Sequence, residues 1–449
     1  MNEKIIDNGI GAAQELLRRI TKLGAEDAIV SFMFEEESQV KFSNSRINNQ
    51  MTYQPSSLSV FASFGKRIVA TSIRDIEKKS VRRTAEDIAR FARKLKPNPN
   101  YMGIAQGPFK YRKDPSLYDR QVENLGEGIV DYAESAVSEA SRGKVSRVAG
   151  NLEASSSYEY IITSSRVEGE FKSTQIYLST RAIVDKEHSA HSVAVSRNLK
   201  GFNAEQCASE SAELANEIFS DVKIKPGRYD VLFYPLPFAS LVELTAYSCS
   251  IFEVEAGSSF LENKLEKQVS SRDFTLMDDP TQEGGIGSVL FDDEGVPAKR
   301  KALIENGVLK TYLHNTSTAR RYGIESTGNA GLIIPTPFNI VLKPGKSEID
   351  NMISSIKKGL IVTNLWYTRF QNYRTGEFST LPRDQVFYIK NGRIIGQARR
   401  IRISDTMPNI LKNVSSIGKN SKKIIGWEVE TPVETPPVLI RQVGITRPE

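Results

Sequence analysis

The chain has 449 residues, 39% hydrophobic and 25% charged, with a formal net charge of +6. At that length, beyond the roughly 250–300 residues at which one core stops growing, two or three domains are expected. The balance is that of a folded globular protein, which excludes extended disorder, and no run approaches the ~18 apolar residues of a membrane helix.

In chain order, Ile6, Ile10, Ala13, Leu17 and Ile20 recur at helical spacing and Gly24 follows as a C-terminal cap, predicting an opening helix of about 20 residues. Charges in MNEKIIDNGIGAAQ, where a secretory signal would be apolar, predict a cytoplasmic location. Residues 27–34 and 39–44 and the pair around 65–67 are rich in β-branched and aromatic residues and predict strands. Val81, Ala85, Ile88, Ala92 and Leu95 mark a second helix, and residues 97–108 a linker.

A third helix is predicted over 117–141 through Val122, Leu125, Ile129, Ala133 and Val137. Residues 145–200 alternate partially among Ser, Thr, Tyr and Val, as antiparallel strands with one wet face do. Asn203 and Gln206 resemble a capping box for a helix through Cys207, Leu214 and Ile218. A strand over 229–235 and a helix over 241–252 open the last part. Asn306-Gly307 and Asn391-Gly392 then sit between apolar runs, where type I′ turns close hairpins. The expected fold is α+β: antiparallel sheets flanked by helices, an N-terminal α/β part plus a strand-rich C-terminal domain. The expected units are residues 1–105, 112–222 and 226–449.

Chemistry-bearing residues are sparse. His188 and His191 lie three apart, so on a strand they point to opposite faces and cannot chelate one ion. The glycines of residues 282–288 match neither a phosphate loop nor a dinucleotide fingerprint. Asp292, Asp293 and Glu294 are consecutive and followed by Gly295, a turn pattern rather than the alternating ligands of a calcium loop, and the Asn306-Gly307 hairpin returns His314 toward them. Cys207 and Cys249 fall in helical runs and are expected as buried free thiols. The basic run over 82–96 alternates with acids and predicts a solvated helix face, which weighs against nucleic acid.

The run FDDEGVPAKRKALIENGVLKTYLHNTSTARRYGIESTGNAG, residues 291–331, resembles the signature region of the TldD/PmbA family: a D-x-EG turn, an LIE-x-GVL hairpin, an Ala-Arg helix start and an STGNA turn, in that order. Residues 258–271, NIVLKPGKSEID, LIVTNLWYTRFQNYRTGEF and ISDTMPNILKNVSSIG are similar to the same family, as is the N-terminal order of helix, GAEDAIV and QVKFSNSRI. The resemblance implies cytoplasmic zinc metallopeptidases working as heterodimers. One subunit, TldD, carries H-E-x-x-x-H on a helix before the signature and completes its zinc site with a C-terminal cysteine; the companion, TldE or PmbA, lacks these ligands.

Here the equivalent helix is LVELTAYSCS, residues 241–250, with Glu243 as its one carboxylate and no histidine, and residues 423–437 hold no cysteine. Catalytic zinc needs three protein ligands and an open position for water. The resemblance therefore implies the TldE/PmbA type: no catalytic or metal residues, no cofactor in this chain, and zinc in a TldD-like partner. The expected partners are that homologue and an unfolded peptide, with no membrane and no nucleic acid. Asp293, Glu294, Gly295, Thr327, Gly328 and Asn329, in two turns of small residues, are the expected substrate- or partner-facing positions. The alternative class is a homodimeric module that binds peptides or proteins without proteolysis. The family's label as a modulator of DNA gyrase adds DNA binding, which counterion release would make steeply salt-dependent.

Overall fold

The computed structural model describes residues 1–447. Its N-terminal half is built on one seven-stranded antiparallel sheet of β1 (Asp27–Ser43), β2 (Arg46–Tyr53), β3 (Ser56–Phe64), β4 (Arg67–Ile73), β5 (Arg147–Thr163), β6 (Glu168–Ile183) and β7 (Ser189–Ser196). The order is β4-β3-β1-β5-β6-β7, with β2 paired to the later part of β1. The two strands expected between 27 and 44 are one strand of 17 residues. The interval left between the two expected strands lies within it, with Glu35, Glu36 and Glu37 opposite Ser157, Ser156 and Ser155 of β5. Through this β1–β5 ladder, residues 1–105 and 112–222 share a sheet.

One face of the sheet is covered by helices. Val30, Phe32 and Phe34 pack under α1 (Glu3–Lys22) and α2 (Lys78–Ala92), which bury Ala13, Leu16, Ile20, Ala85 and Ile88. The helix expected over 117–141 is broken into α3 (Arg120–Glu123) and α4 (Ile129–Ala140), because Gly126 turns left-handed at φ +52 between them. With α5 (Ala204–Asn216), α4 covers Val40, Phe42, Leu152 and Leu178. The Asn203 side chain accepts from the Gln206 N–H at 2.9 Å, the expected cap, and the helix stops at Asn216, short of Ile218.

The rest of the chain runs β8 (Asp221–Val222), β9 (Gly227–Phe233), α6 (Pro235–Tyr247), α7 (Ile251–Glu255), β10 (Leu276–Asp278), β11 (Lys301–Glu305) and β12 (Val308–Leu309). Next come α8 (Thr316–Tyr322), β13 (Ile340–Leu342), α9 (Ile349–Ser354), β14 (Lys358–Asn372), β15 (Glu377–Lys390), β16 (Arg393–Ala398) and β17 (Arg402–Thr406). Last are α10 (Met407–Lys412), β18 (Val414–Ile417), β19 (Lys422–Gly426), β20 (Val429–Thr435) and β21 (Val438–Thr446). Six strands pair in the order β12-β11-β10-β13-β20-β19. Eight form a second sheet, β14-β9-β21-β17-β15-β16-β8 with β18 on β21. All pairs are antiparallel except β13–β20, β9–β14 and β8–β16. Both Asn-Gly turns form as expected, with φ +47 and +82 at Asn306 and Gly307 and +49 and +73 at Asn391 and Gly392.

α6 lies between these two sheets, against β9 and β14 on one side and β13, β19 and β20 on the other. It starts at Pro235, earlier than expected, because Pro235 and Pro237 fall in its first turn, where no intrahelical N–H bond is lost. Its Phe238, Leu241 and Val242 enter the largest core, each contributing about 2–3 kcal/mol by burial. The uncovered face of the first sheet meets the C-terminal part through Ile29, Phe61, Ile161 and Phe171, which surround Phe291. Among the described residues no helix is long and apolar enough to cross a membrane.

Candidate functional site

α6 is buried nearly all round, and its least buried positions include Leu236, Glu243, Leu244 and Tyr247. Leu236, Glu243 and Tyr247 fall at i, i+7 and i+11, one face of a helix. That face looks onto β20. Glu243 Oε1 accepts from the Thr431 N–H at 2.7 Å, and the Tyr247 hydroxyl lies 2.8 Å from that of Thr431. Burial raises the Glu243 carboxyl to about 7, against the N–H bonds from Thr431 and Glu430 that favour its charged form. Nearby, Glu428 Oε2 accepts from Arg369 at 3.2 Å and from the Thr368 N–H at 3.3 Å.

This donor set does not fit a catalytic zinc ion. The helix offers one carboxylate, already engaged by a backbone amide, with neither histidine nor thiolate beside it. Among the described residues no group of three or more His, Cys, Asp or Glu side chains is arranged to hold a metal. Cys249 is buried just beyond α6, donates weakly to the Thr245 carbonyl at 3.6 Å, and has its thiol raised by burial, so it stays protonated. Cys207 is also buried and free, pushed up to about 12.

The acidic turn is built differently. Asp292 is buried and accepts three backbone N–H bonds, from Glu294 at 3.0 Å, Val296 at 2.9 Å and Ala330 at 2.9 Å. Glu294 accepts from the Thr316 N–H at 3.1 Å, at the start of α8. Burial, then the charge of Glu294, raises Asp292, and burial raises Glu294 to about 7. Gly295 adopts φ +75, would drive a Cβ to 2.3 Å from Val167, and accepts from the Tyr111 hydroxyl at 2.8 Å. In the second turn, Thr327 Oγ1 accepts from the His314 N–H at 2.8 Å, Gly328 sits at φ +68, and Asn329 donates to Asp278 at 2.6 Å.

Four of the six expected facing positions, Glu294, Gly295, Gly328 and Asn329, are thus buried and bonded internally. Thr327 is half-buried. Asp293 opens to solvent at its surface yet is ringed by enough protein that burial pushes its carboxyl to about 6.

The histidines do not come together. His188 Nδ1 lies 2.8 Å from Asp185 and its Nε2 2.9 Å from Arg399, whereas His191 Nε2 lies 2.9 Å from Ser179. The His314 ring turns to Thr318 at 3.2 Å and to Tyr322, and burial lowers it to about 4. In the basic run over 82–96 Arg82 pairs with Glu86, and toward the C-terminus Arg399 pairs with Asp221 and Glu187 and Lys422 with Glu210.

Sequence reasoning passed over three internal features. Asp278, fully buried, accepts from Lys301 at 3.0 Å and from the N–H groups of Phe338 and Asn339, both at 3.0 Å. Arg197 spends its guanidinium on the carbonyls of Gly285, Ile286, Ser288 and Thr174, which accounts for the glycine-rich turn as a ring of acceptors. Flanking α6 are two cavities, of about 1280 and 370 Å³, that share His191, Val193, Leu236 and Ile424. The larger runs along β7 and β19, the last strand of each sheet's order. No local pattern could have disclosed it, since it forms between strands more than 200 residues apart.

Residues 226–447 match the model of the PmbA/TldA metallopeptidase C-terminal domain. A metalloprotease of Methanocaldococcus jannaschii is 30% identical over 280 residues, 59% of this chain and 60% of that protein. A PmbA-homologue metalloprotease of Buchnera aphidicola is 29% identical, covering 52% of this chain and 51% of its own. The chain thus spans between half and three fifths of the length of these two relatives. Among solved structures, TldE of Thermococcus kodakarensis superposes with a TM-score of 0.86 at 21% identity, covering 97% of this chain and all of that one. A protein of Thermotoga maritima described as a modulator of a DNA gyrase gives 0.83 at 23% identity, over 97% and 99%. Both are likenesses of fold.

Proposed function

The chain belongs to the PmbA/TldD family, and from that premise we propose that it is a non-catalytic, TldE-type subunit of a metallopeptidase complex that degrades or processes unfolded peptides and small proteins in the cytoplasm. The observation that carries this reading is α6: where a metallopeptidase helix would present zinc ligands, this helix presents Glu243 alone, held by the Thr431 amide. In a complex, the partner's zinc site would supply the activated water, and this chain would supply interface and substrate groove.

The groove we assign is the cleft between β7 and β19. Strands at the ends of sheets can hold an extended peptide by main-chain pairing, which tolerates varied side chains. Asp293 and Thr327, the outward positions of the two signature turns, are the substrate- or partner-facing residues in this reading.

Co-expression with a homologue that carries H-E-x-x-x-H should give a stable heterodimer that holds zinc and cleaves an unfolded protein, while this chain purified alone holds no zinc and cleaves nothing. Zinc binding and peptide hydrolysis by the isolated chain would sink the reading. A homodimer that binds peptides and ignores the homologue would replace it with the binding-module alternative.

A further inference from the structure

The smaller cavity beside α6 is bounded by β7, the β14–β15 ladder and the segment joining β19 to β20. Its walls are mainly apolar, including Tyr177, Val193, Leu236, Leu365 and Ile424, and its volume of about 370 Å³ lies in the range of small-ligand sites. Both tryptophans of the chain, Trp366 and Trp427, line it, and Trp427 is 78% exposed at the rim.

The charges around it do not balance. Arg181 pairs with the fully buried Asp384 at 2.7 Å. Asp384 has both oxygens engaged, since it also accepts from Ser189 at 2.6 Å and Asn364 at 2.7 Å. Glu428 pairs with Arg369 at 3.2 Å through Oε2, and its Oε1 is buried without a hydrogen-bond partner. Arg383 has no carboxylate within ion-pair distance among the described residues; its guanidinium lies over the Trp366 ring, 3.6 Å from the centroid. His191 adds no compensating charge, and burial, followed by Arg181, lowers it to about 4. The lining therefore carries one planar cation, half-buried on an aromatic face, with its hydrogen-bonding edge unused.

We propose that this cavity binds the free C-terminus of a peptide, its α-carboxylate on Arg383 and its last, apolar side chain among Leu236, Leu365 and Trp366. A guanidinium fork matches a carboxylate with two parallel bonds. A single uncompensated cation matches the one negative charge of a chain terminus, whereas a phosphoryl dianion would leave a charge unbalanced in an apolar cavity. A terminal residue also joins carboxylate and side chain at one Cα, so both fill the same site. The assignment rests on the reading of this chain as a peptide-handling subunit and names the end of the peptide it would grip.

The two tryptophans make the test direct. Acetyl-Ala-Ala-Leu with a free carboxylate, titrated into the purified full chain, should change tryptophan fluorescence and bind about tenfold or more tightly than its C-terminal amide, the scale of a lost charge-assisted bond. Acetyl-Ala-Ala-Lys should bind more weakly than the leucine peptide. Arg383→Gln should abolish the preference for acid over amide with an unchanged melting temperature, and Arg383→Lys should retain part of it. Equal binding of acid and amide, no fluorescence change at millimolar peptide, or an acid preference that survives in Arg383→Gln would overturn the site. The outcomes separate from those of the parent reading: a heterodimer that forms while the titration fails removes only this site. Terminus binding with no heterodimer removes only the subunit role.

Discussion

The Asp292–Glu294 turn and the open face of α6 both carry carboxylates inside the protein, and they use them in opposite ways. In the turn, every acceptor of Asp292 meets a backbone N–H, Glu294 caps the start of α8, and Gly295 and Gly328 let three chain segments close on one another. On α6 the lone Glu243 carboxyl meets only the Thr431 and Glu430 amides, and in the cavity beside the helix Arg383 has no anionic partner among the described residues. The density of acids marks the strut; leftover bonding capacity marks the place where a ligand could be accommodated.

The largest effect is expected at Asp292. Asp292→Ala leaves three buried N–H groups without an acceptor, so a loss of about 3–5 kcal/mol in urea unfolding is expected, with aggregation of the variant at growth temperature as the accompanying sign. A loss below about 1 kcal/mol would mean the turn is not a strut.

Glu294→Gln sharpens the same point through pH. The Glu294 carboxyl sits near 7 in the fold, above its ordinary 4.5, so its protonated form is the one the fold favours. That contribution is complete below about 4.5 and disappears as pH rises through 7. The wild type should therefore lose on the order of 3 kcal/mol of stability between pH 5 and 8.5 through this group, and the glutamine variant should lose much less. Melting temperatures across that range decide it; parallel curves for the two proteins would mean that Glu294 is not held protonated by the fold.

The parts of this molecule that depend on neighbours in sequence were legible, and those that depend on register across the fold were not. The period through Ile6, Ala13 and Ile20, the two Asn-Gly turns and the Asn203 cap all form as the local pattern dictates. Glu35–Glu37 fall between the strands that local pattern predicts over 27–34 and 39–44, yet the serines of β5 opposite them let the stretch lie mid-sheet. In the signature, small residues predict an accessible turn. The same smallness serves close internal approach at Gly295 and Gly328, since a side chain there would strike Val167 or the Pro297 carbonyl.

Glu243 stood out as the lone acid of its helix, but Arg383 did not. It enters the cavity only because the β14–β15 ladder sets it opposite Asn364, and His191 only because β7 pairs with β6.

The smallest expected effect is at Glu243, where the two regions differ most in how tightly the carboxylate is bound. Glu243→Gln keeps an oxygen for the Thr431 amide and removes the charge, so at pH 6, where the carboxyl near 7 is mostly protonated in the wild type, stability should shift by less than about 1 kcal/mol. The raised carboxyl again stabilises below its ordinary range and ceases to as pH passes 7, so the variant should gain on the wild type toward pH 8.5. If Glu243 has no metal-bound water to activate, peptidase activity of the reconstituted heterodimer should be unchanged within twofold, whereas a loss of a hundredfold or more, the scale expected of a missing general base, would assign the chemistry to this helix after all. Retained activity together with the alkaline gain in stability would place Glu243 with the strut, as a packed acid, and leave Arg383 as the open cation on this side of the protein.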